Sequence, residues 1–371
     1  MAIEDNSLNC SEEDYRGLHI PSYSLLASIE KYGVDVIQGV KAKFELKFGS
    51  LVDVMCFEPH RLDDLFYRGS SVKSPTSTHK KVVDEVLANI TADIGATQEQ
   101  MGILGRKRKK QVKITSDLSN YRAQILLYAK KHGVLKSYSD DNTFETIVKS
   151  SSEYFKDKIT SRGKMLIKPE MWALAQQTAT TLQTHPFTAK YFNHKTPGVD
   201  ILYQYKFVTD INRRRVKGML DCLIVNHNEK LLIPVDLKTG EAPVKDFPML
   251  YTSHRYYIQG ALYREALKSI LENDFDITDY KVRPFEFVYI SKSNPYKPMI
   301  FIATDEMHES AMNGFTDKFG YKYKGVNELI EEYYSCIDSG FCDYTEEETL
   351  SKGRIEMNDV VKNDEKKQDN S

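Results

Sequence analysis

No stretch of this 371-residue chain approaches the ~18 consecutive apolar residues that a membrane helix needs. Its opening, MAIEDNSLNCSEEDYR, is acidic and lacks an apolar signal-peptide core, so an intracellular, cytoplasmic protein is expected. Cysteine is sparse: Cys10, Cys56, Cys222, Cys336 and Cys342 are scattered, and an odd number of them suits reduced thiols better than a disulfide framework. Nor is there an excess of charge, since 53 acids against 51 bases leave a net charge of −2, which alone argues against a nucleic-acid partner. No internal repeat and no long linker divide the chain.

The distribution of charge says more than its sum. Residues 342–371 hold nine acids against five bases and end in NDVVKNDEKKQDNS, without aromatics or periodicity, which reads as a disordered tail. The rest is therefore slightly basic, and its bases cluster. GRKRKKQVK sets Arg106, Lys107, Arg108, Lys109, Lys110 and Lys113 within eight residues with no acid among them. Such a run is either a solvated loop or a contact for several phosphates of a nucleic acid. Arg213, Arg214 and Arg215 form a second patch, again either a solvated turn or a nucleic-acid contact.

The stretch VKGMLDCLIV, then NHNEK, then LLIPVDLKTG reads as two buried strands, 216–225 and 231–237, joined by the polar turn Asn226 to Lys230. Asp221, Asp236 and Lys238 interrupt that apolar pattern. Strand side chains alternate faces, so Asp236 and Lys238 point one way while Val235 and Leu237 point the other, and pairing across the hairpin can bring Asp221 alongside. A buried structural ion pair is one explanation. Burying three ionisable groups is costly, however, unless an ion or substrate offsets the desolvation. Carboxylate oxygens suit Mg²⁺ or Mn²⁺, and two aspartates suffice to hold one such cation beside a phosphate. A lysine there could orient water or offset charge on phosphorus.

Asp221 followed by Asp236-Leu237-Lys238 resembles the core motif of the PD-(D/E)XK nuclease superfamily. IQGALY places Gln259 and Tyr263 four apart, on one helical face, and resembles the QxxxY motif of RecB-type nucleases. Upstream, LKFGSLVDVMCFEP is similar to a helix of phage and prophage exonuclease VIII-like enzymes that reads approximately GxxxHxxLLEP: Gly49, Glu58 and Pro59 are in register, and Asp53 stands where the family has histidine. An aspartate is itself a competent ligand for a hard cation. Glu45 and Glu58 are weaker carboxylate candidates, and Gln204 stands where relatives often carry a glutamate.

The resemblance implies a Mg²⁺-dependent DNA nuclease, an exonuclease of the phage recombination type, working in a bacterial or phage-infected cytoplasm. Asp221, Asp236, the Leu237 carbonyl and Asp53 would hold metal, Lys238 would position the attacking water, and Gln259 and Tyr263 would support the lysine or bind the DNA backbone. An endonuclease of the same superfamily, or a catalytically silent DNA-binding or recombination-mediator protein, remains open. Some relatives form rings around DNA or work with a single-strand annealing protein. Others hold an iron–sulfur cluster on four cysteines; here only Cys336 and Cys342 are suitably placed, so no cluster is expected.

Periodicity predicts helices over 23–33, 34–56, 80–92, 117–132, 169–182, 248–270, 306–317 and 325–338, and strands over 201–208, the hairpin, 284–291 and 298–303. The expected fold is α/β of the α+β type, a mixed central sheet flanked by helices. It would be a restriction-endonuclease-like core with an enlarged helical N-terminal half. As one domain over 1–341, it would comprise a helical part at 20–200, a catalytic core at 201–305 and closing helices at 306–341.

Overall fold

A computed structural model describes residues 8, 10–38, 47–70, 74–103, 115–192, 196–273, 279–340 and 354. Its helices are α1 (Glu12–Gly17), α2 (Tyr23–Tyr32), α3 (Lys47–Phe57), α4 (Leu62–Leu65), α5 (Ser77–Ile103), α6 (Arg122–Lys131), α7 (Asp140–Thr160), α8 (Pro169–Thr184), α9 (Phe247–Ser253), α10 (Tyr256–Asn273), α11 (Asp305–Asn313) and α12 (Val326–Ser339). The strands are β1 (Phe66–Arg68), β2 (Met165–Ile167), β3 (Val199–Ile211), β4 (Arg214–Asn226), β5 (Leu231–Gly240), β6 (Lys281–Val282), β7 (Phe285–Ser291), β8 (Asn294–Ala303), β9 (Phe315–Thr316) and β10 (Lys322–Tyr323). The chain divides into two compact units, one of Met1–Gly49 with Thr178–Ser371 and one of Ser50–Gln177.

The first unit holds a mixed sheet in the order β3-β4-β5-β7-β8, with β6 paired to β5. Most neighbours are antiparallel; β5 and β7 run parallel, because the chain leaves the end of β5, crosses the sheet through α9 and α10, and returns as β7. Leu262, Ala266, Leu267 and Tyr263 of α10 share one core with Phe285 and Phe287 of β7 and Phe207 of β3. Gly218 of β4 makes this close approach feasible: a Cβ there would come within 2.2 Å of Phe207 Cζ and 2.7 Å of Tyr263 Cε1.

Asn212 and Arg213, with φ of 50° and 66°, form the two-residue turn between β3 and β4, a left-handed pair that matches the twist of a hairpin. The β3–β4 ladder then pairs every residue from Ile211 with Arg214 to Val199 with Asn226 except one position, where Gln204 with φ of 50° stands opposite Asp221. The segment before α2 is tied to the same strand. Lys217 is buried, and its ammonium donates to the carbonyls of Tyr15, Arg16 and Leu18 at the end of α1, at 2.9, 3.3 and 2.7 Å. Cations are favoured at helix C-termini, and these oxygens replace the water Lys217 has lost. Burial still lowers its pKa, and Arg16 adds to that.

The second unit is mainly helical. Val82, Val83 and Val86 of α5, Ile125 and Ala129 of α6, and Ile147 and Phe155 of α7 form its core, and β1 and β2 make a short parallel pair. Helix α7 has no counterpart in the sequence reading. Ser139 caps its N-terminus by accepting the Asn142 N–H, and Asp140 and Asp141 occupy its first turn.

The helix expected over 80–92 runs longer, as Ser77–Ile103, and three others differ in their limits. The 248–270 helix is broken at His254–Arg255, where Arg255 takes φ of 59° while its guanidinium donates to Glu30 and to the Ser253 carbonyl. The 306–317 helix stops at Asn313, because Gly314 turns the chain with φ of 86° and a Cβ there would lie 2.9 Å from the Tyr323 carbonyl. In the 34–56 stretch, Val34–Gln38 is a 3₁₀ turn and α3 follows, with 39–46 outside the described residues. Cys10, Cys56 and Cys222 form no disulfide, whereas Cys336 is disulfide-bonded, which corrects the expectation of reduced cysteines throughout.

Candidate active site

Strands β4 and β5 pair from Asn226 with Leu231 up to Cys222 with Val235, and the ladder ends there. The next two residues that would face each other are Asp221 and Asp236. Instead of a main-chain bond, the Leu237 N–H donates to Asp221 Oδ2 at 2.9 Å. Beyond this point β5 is held from its other side by β7, with Asp236 beside Phe287 and Lys238 beside Tyr289. The fork between β4 and β5 thus sets the two carboxylates next to each other.

Asp236 is only 2% exposed. Its Oδ1 accepts a hydrogen bond from the Gln259 amide nitrogen on the first turns of α10, and its Oδ2 lies 2.6 Å from Lys238 Nζ. That ion contact is not an aligned hydrogen bond, so Asp236 Oδ2 accepts none from the described residues, and neither does the buried Gln259 Oε1. Lys238 sits 4.8 Å above the Tyr256 ring. Burial opposes its charge, but Asp236, with Tyr23, Tyr256 and Asp221, holds its pKa above the usual lysine value. Asp221 is half-buried. Burial first, and then the charge of Asp236, push its carboxyl up to about 7, while Lys238, the Leu237 N–H and the Gln204 side chain act the other way.

One carboxylate oxygen and one amide oxygen without an aligned donor, a carboxyl driven toward neutrality by burial and by its neighbour, and a fixed ammonium are the pattern of a site short of positive charge. That pattern fits a hard divalent cation. Among the described residues no three His, Cys, Asp or Glu side chains gather as a ready cluster. Asp221 and Asp236, with the Leu237 carbonyl that follows Asp236 in the motif, are the donors this fork offers.

The fork therefore brings together Asp221, Asp236, Leu237, Lys238 and Gln259. Tyr263 stands one turn after Gln259, but its ring is buried against Phe207, Phe285 and Tyr23, at centroid distances of 5.5, 6.3 and 6.5 Å. It supports the fork from behind. Gly49, at the start of α3, would place a Cβ 3.2 Å from Thr239 Oγ1, one residue beyond the lysine. Asp53 lies one turn further along α3 and Glu58 just past its end, both in the second unit; Glu45 is outside the described residues.

The basic run Arg106, Lys107, Arg108, Lys109, Lys110 and Lys113 also lies outside the described residues. Arg213 to Arg215 do not join the fork: Arg214 begins β4 seven residues before Asp221, roughly 24 Å of extended strand away. The Arg214 guanidinium pairs with Glu331 and Asp338 of α12 at 3.1 and 3.3 Å and lies 4.8 Å from the Tyr334 ring. It is engaged because the tight turn delivers it against the acidic face of α12. Conversely, Tyr23 and Tyr256 were not anticipated. Tyr256 could have been found three residues before Gln259 on the same helix, whereas nothing local marks Tyr23.

The protein is a mixed-sheet domain carrying a largely buried two-aspartate and lysine centre. The chain belongs to the family described as PDDEXK-like domain of unknown function (DUF3799), whose model matches residues 131–348, more than half of its length. That match takes in Asp221, Asp236, Lys238, Gln259 and Tyr263. A crystal structure from Eubacterium rectale, provisionally named an exonuclease, superposes with a TM-score of 0.45 at 13% identity, covering 96% of this chain and 99% of that one. No curated protein matches. Among the described residues no helix is long and apolar enough to cross a membrane.

Proposed function

We propose that this nuclease-type protein is a divalent-metal-dependent deoxyribonuclease, using Mg²⁺ or Mn²⁺, and that it acts as an exonuclease of the phage recombination type. The observation that carries the reading is the fork: two adjacent carboxylates and a lysine, with Asp236 Oδ2 left without an aligned donor, in a chain of the PDDEXK-like family. A bound divalent cation supplies Lewis-acid polarisation of the scissile phosphate and eases deprotonation of water. Asp221, Asp236 and the Leu237 carbonyl would hold it. Gln259 keeps Asp236 from rotating out of the site. Lys238, held above the Tyr256 ring, keeps its proton, so its ammonium orients the attacking water and offsets charge on the phosphorane oxygens rather than acting as a base.

Digestion of linear and closed-circular duplexes, with Mg²⁺ or with EDTA, tests the reading. Mg²⁺-dependent loss of linear DNA only is the expected result, abolished in Lys238→Ala with DNA binding retained. Cutting of closed circles would make the enzyme an endonuclease. Equal inertness of wild type and Lys238→Ala, with binding intact, would leave a DNA-binding protein.

A further inference from the structure

Phe319 and Tyr321, at 73% and 68% exposure, are the most exposed large apolar side chains among the described residues. Both stand on the tip of the hairpin formed by β9 and β10, whose strands pair Phe315 with Tyr323 and Thr316 with Lys322. Exposure of two neighbouring rings is unfavourable in water, so a floppy loop would fold them away. This tip is held open. Asp317 Oδ1 accepts the N–H groups of Phe319 and Tyr321 at 2.8 and 3.0 Å, and the Asp317 N–H donates to the Tyr321 carbonyl at 2.9 Å. Gly320, with φ of 87°, completes the turn. The aspartate's charge is therefore used by its own turn, and what the tip presents outward is two rings between the exposed Lys318 and Lys322, with Lys318 Nζ 5.1 Å from the Phe319 ring.

The hairpin's base is equally fixed. Phe315 and Tyr323 stack at 5.0 Å, and both meet Tyr257 of α10 edge-on, at 5.1 and 5.9 Å. The Tyr257 hydroxyl donates to the Lys324 carbonyl at 3.0 Å. Tyr257 follows Tyr256, the residue whose ring carries the Lys238 ammonium. The base of the hairpin thus packs on the same helical turn that carries Tyr256.

A partner that suits two exposed ring faces flanked by cations needs flat π surfaces and a negatively charged backbone, which unpaired nucleotides supply. A protein partner would call for a wider apolar patch than two rings. We propose that the hairpin 315–323 is a base-stacking arm that holds unpaired nucleotides of the substrate strand beside the fork. This rests on the nuclease reading and deepens it by naming a single-stranded segment as part of the substrate.

The test measures binding in EDTA, so that cleavage plays no part. A fluorescent single-stranded oligonucleotide and a blunt duplex are titrated with the full chain and with the Phe319→Ala/Tyr321→Ala double variant. Loss of stacking at two rings is expected to weaken single-strand binding by about tenfold or more, with a smaller effect on the duplex. Phe319→Trp/Tyr321→Trp should restore it. Equal affinities of wild type and the alanine variant, with wild type still cleaving DNA, would overturn the arm while leaving the nuclease reading standing. A wild type that neither binds nor cleaves any DNA overturns both. Unchanged DNA affinity with an altered oligomeric state would instead assign the hairpin to protein contacts.

Discussion

Gln259 on α10 donates its amide hydrogen to Asp236 Oδ1 on β5, a buried bond across 23 residues of chain. That bond sets which Asp236 oxygen faces Asp221 and Lys238. Gln259→Ala leaves Asp236 Oδ1 buried without a donor and is expected to cost about 1–3 kcal/mol in urea unfolding, together with most of the cleavage activity. Gln259→Glu should be worse at neutral pH, by setting a third carboxylate against the pair, and should recover stability in acid. A Gln259→Ala protein as stable and as active as wild type would remove the amide from the design.

Asp221 carries the pH dependence. Its folded pKa of about 7 lies above that of an exposed aspartate, so the folded chain holds this proton more tightly than the unfolded one. Its contribution to stability is therefore present below the unfolded value of about 3.9 and is lost as pH rises through about 7. Thermal unfolding should show wild type losing more stability than Asp221→Asn between pH 6 and pH 8. At pH 8, Mg²⁺ should raise the Tm of wild type and leave that of Asp221→Asn unchanged. Equal Mg²⁺ responses would place the cation elsewhere.

Tyr256 holds Lys238 by its ring face rather than by its hydroxyl. Phe at this position should retain cleavage close to wild type, whereas Leu should lower it by about three- to thirty-fold, the range expected for a partly buried cation–π contact. Comparable losses in both variants would point to the hydroxyl instead.

Gly218 tests the packing behind the fork. Gly218→Ala drives a methyl into Phe207 and Tyr263, so an overpacking cost of about 1–3 kcal/mol is expected, measured by chemical denaturation. Displacement of Tyr263 should also lower cleavage, through Tyr23, whose ring it meets. A fully stable Gly218→Ala would mean that α10 can move away from the sheet at little cost.

Much of this was legible in the sequence where side-chain pattern and backbone geometry agree. Apolar, β-branched runs located β4 and β5, and the charges that interrupt them are those gathered at the fork. The QxxxY spacing put Gln259 on the inward face of a helix, where it meets Asp236. What stayed hidden depends on contacts between distant segments. Gln204 and Arg255 adopt left-handed φ without being glycine, so no residue-type signal marks the gap in the β3 ladder or the break before α10. Tyr23 joins the Lys238 surroundings from more than two hundred residues away. Arg214 read as a free cation because its acidic partners lie on the last helix.

The Lys217 ammonium takes all three of its carbonyl acceptors from residues 199 to 202 positions earlier in the chain. Between the two ends of that tie lies the entire helical unit of Ser50–Gln177. During synthesis the segment that ends α1 must therefore wait, unpaired, until β4 emerges and supplies the lysine. Closures over such sequence separations are slow, which makes completion of the sheet a late event in folding. A chain shortened past Leu18 would leave a buried ammonium with no acceptor, so a start site chosen beyond the first helix is expected to yield an insoluble product rather than a smaller working protein.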